Sequence, residues 1–302
     1  MIGRYRTLTQ HPPVFRALTG LTIPEFDALA QELAPRQAAA AAARALRPNR
    51  RRAPGAGPPF KLARRDQLLL TVVWLRRYPI FAVLGYLFGI EETTALRTVA
   101  RLVPLLEEAG RATFRLPDPG KGKRPDLDAL LADTPGLAVI VDTFEQRVQR
   151  PRCRSEADTY YRGKKQQHTL KSQIAIDEQD GRIVDVPPSV RGPTADLTLL
   201  KDSGLLERLP PDVGALGDLA YVGIAALHPL GATPRRKPRG KPRPAEDRAY
   251  NTAFARRRVP VEHTIARLRG YQALTQTDRH HRRGHTARVR AVAGLVNRRL
   301  AA

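Results

Sequence analysis

The stretch that most constrains the fold is a continuous apolar run, LAVIV, at residues 137–141. An unbroken apolar run of this length is typical of a strand that is buried on both faces of a sheet. The segments QHTLKSQIAID, GRIVDVPPSV and VGALGD predict further strands, and TADLTLLKDSGLLERL predicts an amphipathic helix with Thr194 as its N-cap. Together they predict a mixed α/β layer domain, which we place at residues 130–302.

Residues 62–110 carry three successive helical patterns. The middle one, FAVLGYLFGI, is short and ends at Gly89, and the third is expected to kink or break at Pro104. A short helix, a Gly-Ile turn and a longer helix are typical of a helix-turn-helix, with an ordinary helical bundle as the alternative. The pattern predicts an all-α DNA-binding domain at residues 61–115, preceded at 1–60 by a helical segment and a basic linker rich in Ala, Pro and Arg.

The third helix of this domain has two different faces. We expect Leu96, Val99 and Leu102 to point inward, because they recur at helical spacing. The opposite face carries the side chains that would reach a DNA groove, which are Thr93, Thr94, Arg97 and Arg101.

The charge of the chain indicates a polyanionic partner. Lysine and arginine total 52 against 29 acidic residues, which gives a formal net charge of +23. Nucleic acid is the commonest such partner, and an anionic membrane is the rival. No apolar run approaches the length of a membrane span, and the start MIGRYRTLTQHPP lacks the core of a signal peptide. With Cys153 as its single cysteine, the chain is expected to be soluble, cytoplasmic and associated with the nucleoid.

Three carboxylates could form a metal site. Asp142 and Asp218 each follow a predicted strand, and functional groups gather at the carboxyl ends of strands in open α/β sheets. Glu262, in RRRVPVEHTIARLRG, could reach the same place from a helix. Hard divalent ions need oxygen ligands, and a pair of them sits roughly 3.5–4 Å apart in two-metal sites. Taken singly, however, each acid is more often a turn residue, a helix cap or one side of a surface ion pair.

Several segments resemble a known family. VDTFEQRVQRP, YYRGKKQQHTLKSQIAIDEQDGRIVDV, GDLAYVG and RRRVPVEHTIARLRG are similar, in order, to blocks of bacterial insertion-sequence transposases. These are DDE-superfamily endonucleases of the insertion-sequence-five and Harbinger-like type. The segment RDQLLLTVVWLRRYPIFAVLGYLFGI resembles the helix-turn-helix that precedes their catalytic domain.

The resemblance implies an RNase H-like catalytic domain that binds two divalent ions, Mg²⁺ with Mn²⁺ as a substitute. It assigns Asp142, Asp218 and Glu262 as catalytic residues and metal ligands. The chain departs from the family pattern at four places, which removes possible hydrogen bonds around the site but none of the three ligands. The departing residues are Ala195, Leu219, Ala220 and Ala255.

Basic residues near these acids could hold DNA phosphates. Arg269 follows Glu262 by seven residues, which places the two about 20° apart on a helix. Arg258 is expected to lie outside that helix, because Pro260 is suited to its first turn. Further contacts are expected upstream, from Arg162, Lys164 and Lys165.

The resemblance therefore implies a transposase that cuts DNA at the ends of an element and transfers the strand into target DNA. Its partners would be the terminal repeats, the target DNA and further copies of the same chain once DNA is bound. Two alternatives remain open. The chain could be a DNA-binding regulator or relic without turnover, or a nuclease that cuts without strand transfer.

Overall fold

The computed structural model describes residues 3–46, 60–120, 129–132 and 134–301, apart from the side chain of Lys164. The chain divides into two compact units. The first contains residues 1–112, 270–276 and 290–302, and the second contains residues 113–269 and 277–289. The domain boundaries expected from the sequence remain predictions. The first unit combines the N-terminal helices, the predicted helix-turn-helix and two segments from the C-terminal part of the chain.

The first unit is helical. Its helices are α1 (Tyr5–Leu8), α2 (Pro12–Thr19), α3 (Ile23–Ala45), α4 (Arg64–Arg77), α5 (Phe81–Phe88) and α6 (Glu92–Arg111). The start of α3 is fixed by a capping box, in which Thr22 and Glu25 each accept a hydrogen bond from the backbone of the other. Gly89 ends α5 at a φ of +62°, a conformation that glycine adopts without strain.

The structure of α6 differs from expectation at two residues. Pro104 does not break the helix, which continues to Arg111. The proline lies on the exposed face, so the Ala100 carbonyl that loses its partner is open to water. Leu96 is 47% exposed, because the buried stripe passes through its neighbour Ala95 and continues at Thr98 and Val99.

The second unit is built on a mixed sheet. Its strands are β1 (Ala138–Arg147), β2 (Tyr161–Arg162), β3 (Gln167–Asp177), β4 (Ile183–Asp185), β5 (Val190–Arg191), β6 (Gly214–Leu216) and β7 (Gly231–Ala232). The strand order is β2-β3-β1-β6-β7, and β4 and β5 also pair with β3. The central strand β1 is antiparallel to β3 and parallel to β6.

Helices cover both faces of this sheet. They are α7 (Arg154–Tyr160), α8 (Asp196–Asp202), α9 (Leu205–Arg208), α10 (Ile224–Leu227) and α11 (Ala245–Arg269). Val139 and Val141 of β1 belong to the same buried core as Leu200 and Leu205 of α8 and α9. Since side chains alternate along a strand, Asp142 points to the other face, where α11 contacts β1 and β3. The expected mixed α/β class, preceded by an all-helical region, is confirmed.

One last helix, α12 (His285–Leu300), belongs to both units, because the division between them falls after residue 289. Its later part packs against α6 in the first unit. There a Cβ atom on Gly294 would lie 2.2 Å from the Cα atom of Gly110, so glycine permits the close approach.

The boundaries of three elements differ from those expected. Asp142 lies inside β1, because pairing with β3 carries the strand on to Arg147. The N-cap of α8 is Ala195, since Thr194 is held in a turn by the hydrogen bond from its N–H to the Arg191 carbonyl. Pro260 lies inside α11, so Arg258 is on the helix.

Candidate active site

Asp142 and Asp218 lie at the same edge of the parallel strand pair. The last paired residues of β1 and β6 are Ile140 and Leu216, and each acid follows two residues later. The Asp142 carboxylate accepts a hydrogen bond from the Thr143 N–H at 2.7 Å. The Asp218 carboxylate accepts one from the Ala220 N–H at 2.9 Å and caps a short 3₁₀ turn. The two acids expected from the sequence are therefore brought together by strand register.

The environment of Asp142 disfavours a bare negative charge. Burial raises the pKa of this carboxyl from 3.8 to about 6, and the nearby charges of Asp218 and Asp196 add to the rise. Arg258 opposes it, with its Nη2 atom 3.3 Å from Asp142 Oδ2, and so does the Thr143 N–H. A carboxylate in this position is stabilised by any cation that reaches it.

Glu262 occupies a different position. It is exposed on α11, one turn after Arg258, so the two residues share a face of the helix. Within the described residues, however, no three His, Cys, Asp or Glu side chains are grouped closely enough to hold a metal ion. Asp142 and Asp218 thus fit a hard cation as an oxygen donor pair, while Glu262 does not complete a cage with them in this conformation. The three-acid site stays a prediction.

A buried ion pair that the sequence reasoning missed lies beside these acids. Lys171 of β3 is 2% exposed, and its Nζ atom is 2.5 Å from Asp196 Oδ1 and 2.5 Å from the Thr194 carbonyl oxygen. The pair fixes the start of α8 and the position of the Asp196 charge that acts on Asp142. A lysine inside the strand HTLKSQIAID was the available signal, because an unpaired charge is rarely buried.

The GDLAYVG segment supports this edge of the sheet. Tyr221 is fully buried, and its hydroxyl donates to Gln173 Oε1 on β3 at 3.3 Å. A Cβ atom on Gly217 would lie 2.5 Å from Tyr221, so glycine leaves room for the ring beside Asp218. Burial raises the pKa of Tyr221 well above its usual value, and the neighbouring Asp196, Asp142 and Asp218 charges add to the rise.

Comparison with known proteins identifies the chain. Residues 141–297, more than half of the chain, match the family described as DDE superfamily endonuclease. The chain belongs to this family. A probable transposase for insertion sequence element IS702 from Microchaete diplosiphon is 29% identical over 252 residues, which cover 83% of this chain and 86% of that protein. The expected insertion-sequence transposase group is thereby confirmed, and no solved structure matches.

The family assignment extends to the first unit and to the metal. Residues 60–112 match the helix-turn-helix of the DDE superfamily endonucleases, which indicates DNA binding. DDE endonucleases generally use divalent metal ions, in keeping with the Asp142 and Asp218 pair. Among the described residues of this family member, no helix is long and apolar enough to cross a membrane.

The predicted DNA-reading face of α6 is divided in the structure. Thr93 and Arg97 are exposed, and Thr94 is half-buried. Arg101 instead lies over the ring of Phe60 at 4.8 Å and donates to Thr98 Oγ1 at 3.2 Å. Burial lowers the pKa of Arg101, and the Arg44 and Arg97 charges lower it further. Of the two arginines on this face of α6, Arg97 is the more open to solvent.

The other predicted DNA contacts are dispersed. Arg162 and Lys165 each lie 3.6 Å from a carboxylate oxygen of Glu145, so that acid offsets part of their charge. The side chain of Lys164 lies outside the described residues. Arg269 is exposed at the last residue of α11, and Arg258 is directed at Asp142 rather than at solvent.

Proposed function

We propose that the chain is a transposase that cuts DNA at the ends of its element and joins the freed 3′ end to target DNA. The observation that carries the proposal is the convergence of Asp142 and Asp218 at the edge of the β1–β6 pair, in a chain of the DDE endonuclease family. Both reactions are in-line phosphoryl transfers, so one set of acids can serve both.

Asp142, Asp218 and Glu262 would hold the divalent ions, with Mg²⁺ in two positions and Mn²⁺ as a substitute. When bound, such ions supply electrostatic stabilisation of the attacking and leaving oxygens. The protein's part is to hold the carboxylates in place. The register of β1 with β6 sets Asp142 and Asp218, and α11 carries Glu262. Bringing Glu262 to the pair requires a change from the conformation described here.

Arg258 has a role of its own in this proposal. Its guanidinium, 3.3 Å from Asp142, supports the ionised form of that carboxyl, which is the form that binds a cation. Arginine keeps its charge at all working pH values and presents several donors. It could therefore turn from Asp142 to a DNA phosphate once a divalent ion takes over the carboxylate.

The DNA would be held in two ways. Base contacts specify a sequence, and phosphate contacts position it. We assign terminal-repeat recognition to the predicted DNA-reading face of α6, whose residues are Thr93, Thr94, Arg97 and Arg101. We assign phosphate contacts near the cut to Arg162, Lys164, Lys165, Arg258 and Arg269. Two ends must be handled together, so a homo-oligomer on DNA in the cytoplasm follows from the proposal.

A cleavage assay with Mg²⁺, on DNA that carries the element's ends, tests the proposal. Asp142→Asn, Asp218→Asn and Glu262→Gln should each abolish cleavage while DNA binding persists. Asp202→Asn is the matched control, because Asp202 is exposed at the end of α8, and it should keep cleavage within a few-fold. Near-normal cleavage by Glu262→Gln would remove that residue from the site.

A DNA-binding protein without turnover is the second candidate function. The observation that favours it is that no three acids converge within the described residues. The family's usual residues are also missing at Ala195, Leu219, Ala220 and Ala255. The same assay decides between the two, since a regulator binds the element's ends but leaves them uncut with either Mg²⁺ or Mn²⁺.

A further inference from the structure

A cavity of 540 Å³ opens beside β5, and its lining does not include the candidate acids. We call it the α7–β5 pocket. It lies within the second unit, and its chemistry is set by Glu156, Tyr160, Arg191, Arg282 and Arg283. A volume of this size is typical of sites for small molecules and single monomer units, and it is too small for a duplex.

The pocket carries an excess of positive charge. Its one carboxylate, Glu156, accepts a hydrogen bond from Arg282 at 2.5 Å. Within the described part of the chain, neither Arg191 nor Arg283 has a carboxylate partner, and both side chains are exposed. Two guanidinium groups without counter-charge at one cavity are suited to a phosphate, which arginine binds with paired N–H donors.

An aromatic ring lies beside two arginines of the pocket. The guanidinium carbons of Arg282 and Arg191 lie 4.9 Å and 5.6 Å from the ring centroid of Tyr160, which is half-buried. Aromatic rings next to arginines are the usual means of holding a nucleic-acid base that has left the duplex stack. The pocket therefore combines groups for both parts of a nucleotide.

The floor of the pocket is held by several hydrogen bonds. The Ser189 hydroxyl is 2.8 Å from His285 Nδ1 and 2.9 Å from the Ser172 hydroxyl, and the Ser189 N–H donates to Thr286 Oγ1 at 3.0 Å. Beyond Arg191, a Cβ atom on residue 192 would meet Thr169 Oγ1 at 1.8 Å, so only Gly192 fits there. A site held in this way loses little conformational freedom when a ligand binds.

The pocket is within reach of DNA bound at the acids. Its lining residue Leu170 pairs with Gln146 of β1, four residues after Asp142, which corresponds to about 13 Å along the strand. That distance equals about four steps of a DNA strand in a duplex, and fewer in an extended single strand.

We propose that the α7–β5 pocket binds one unstacked nucleotide of the DNA strand a few positions from the cut. Arg191 and Arg283 would hold its phosphate, and Tyr160 would contact its base. The proposal rests on the proposed function for the source of the DNA, but binding in the pocket does not require cleavage. A nucleotide held here would keep the flanking strand out of the duplex while the acids act on the phosphodiester.

Photocrosslinking of the full-length protein tests this assignment directly. The probe is single-stranded DNA in which thymines are replaced by 5-iodouracil, irradiated with the protein in EDTA and mapped by mass spectrometry. We expect crosslinks in the peptide that contains Tyr160. They should fall at least ten-fold in the double variant Arg191→Ala/Arg283→Ala. Arg154→Ala is the matched control, because Arg154 is exposed on the same helix but does not line the pocket.

Two outcomes would overturn the assignment. One is crosslinking elsewhere in the protein with none at Tyr160, and the other is a Tyr160 crosslink that survives in the double variant.

A second arm of the experiment measures competition by deoxythymidine monophosphate and by inorganic phosphate. The nucleotide should compete at much lower concentration, and equal competition would reduce the pocket to a phosphate site. The crosslinking is done in EDTA and so does not depend on cleavage. A protein that crosslinks in EDTA but never cleaves with Mg²⁺ would contradict the proposed function and leave this inference standing.

Discussion

Arg258 lies beside Asp142 because Pro260 is inside a helix rather than at its start. The proline follows fifteen residues of α11 and leaves the helix unbroken, so Arg258 and Glu262 stand one turn apart on the same face. From sequence alone the proline suggested a helix start, which would have left Arg258 in a loop. At the scale of single residues, the structure thus supplies a cation for Asp142 from the chain itself.

A buried histidine makes the second unit sensitive to acid. Nε2 of His285 is 2.8 Å from Gln146 Oε1, which can only accept, so Nε2 carries the proton and Nδ1 accepts from the Ser189 hydroxyl. Burial lowers the pKa of His285 from 6.5 to about 4, and the Arg288 charge lowers it further while Asp278 opposes. The ring is therefore neutral in the folded protein at neutral pH.

Between pH 6.5 and about 4, the unfolded chain binds a proton at this position that the folded chain excludes. The contribution of His285 to stability is thus complete above pH 6.5 and is lost as the pH falls, at up to about 1.4 kcal/mol per pH unit. Urea denaturation at pH 7 and pH 5 measures this loss. His285→Gln should lower stability at pH 7 but show a smaller decrease between the two pH values. An equal decrease in both proteins would assign the sensitivity to other groups.

At the scale of elements, α11 is fixed to the sheet by a buried ion pair. Arg257 donates to both carboxylate oxygens of Glu178, at 2.5 and 2.8 Å, and to Thr134 Oγ1 at 2.6 Å. It also donates to the Pro135 carbonyl. Arg257 is 4% exposed and Glu178 is 1% exposed, so neither charge has water to replace its partner. Arg258 and Glu262 lie on the same helix, so the Arg257–Glu178 pair also helps to set their positions.

Removing one partner of this pair should be more harmful than removing both. Arg257→Met leaves the Glu178 charge buried without its arginine, and breaking a buried pair in this way costs about 3–5 kcal/mol in comparable cases. The double variant Arg257→Met/Glu178→Leu should recover part of that loss, because no buried charge remains. Chemical denaturation of the two single variants and the double variant gives the coupling energy. Additive losses would show that the pair does not act as a unit.

The sequence predicted most elements where the signal is local. The glycine end of α5 and the apolar core of β1 both follow from near neighbours. The length of β1 does not, because β6 pairs with it only to Ile140 while β3 continues to Arg147. A strand's length is set by its partners, and its own pattern cannot give it.

The same distinction applies to the candidate site. Asp142 and Asp218 stand out in the sequence because each follows a short apolar run, a local signal. The partners that hold the site, such as Lys171 with Asp196 and Arg257 with Glu178, are 25 and 79 residues apart. The sequence around Lys171 and around Arg257 does not indicate which acid each of them pairs with. Whether Glu262 joins the two aspartates also depends on contacts of this long-range kind.

At the scale of the whole molecule, the first unit is completed by the C-terminal chain. Tyr271 is fully buried in it, with the Arg76 guanidinium carbon 5.0 Å from its ring centroid. Gly294 of α12 packs directly on Gly110 of α6. The helix-turn-helix region is thus part of a unit whose last pieces come from residues 270–276 and 290–302.

Gly294→Ala should therefore weaken DNA binding by the helix-turn-helix region, which lies far from Gly294 in sequence but in the same unit. The added methyl would lie 2.2 Å from the Gly110 Cα, so α12 must shift, and overpacking of this kind costs about 1–3 kcal/mol. Gly284→Ala is the control, because its nearest atom is the end of the Arg288 side chain at 3.2 Å. Thermal unfolding and DNA affinity should fall for Gly294→Ala alone. Equal behaviour of the two variants would deny α12 this role.

The Gly110–Gly294 contact also has a consequence for the order of synthesis. The ribosome makes α1 to α6 first, but residues 290–300 emerge only after the whole of the sheet unit. At typical elongation rates the interval is roughly 10–40 s. During that time α1 to α6 lack the part of α12 that packs on Gly110. A chain cut short before residue 290 would carry an incomplete first unit, so translation that stops early should yield little competitor for the intact protein on DNA.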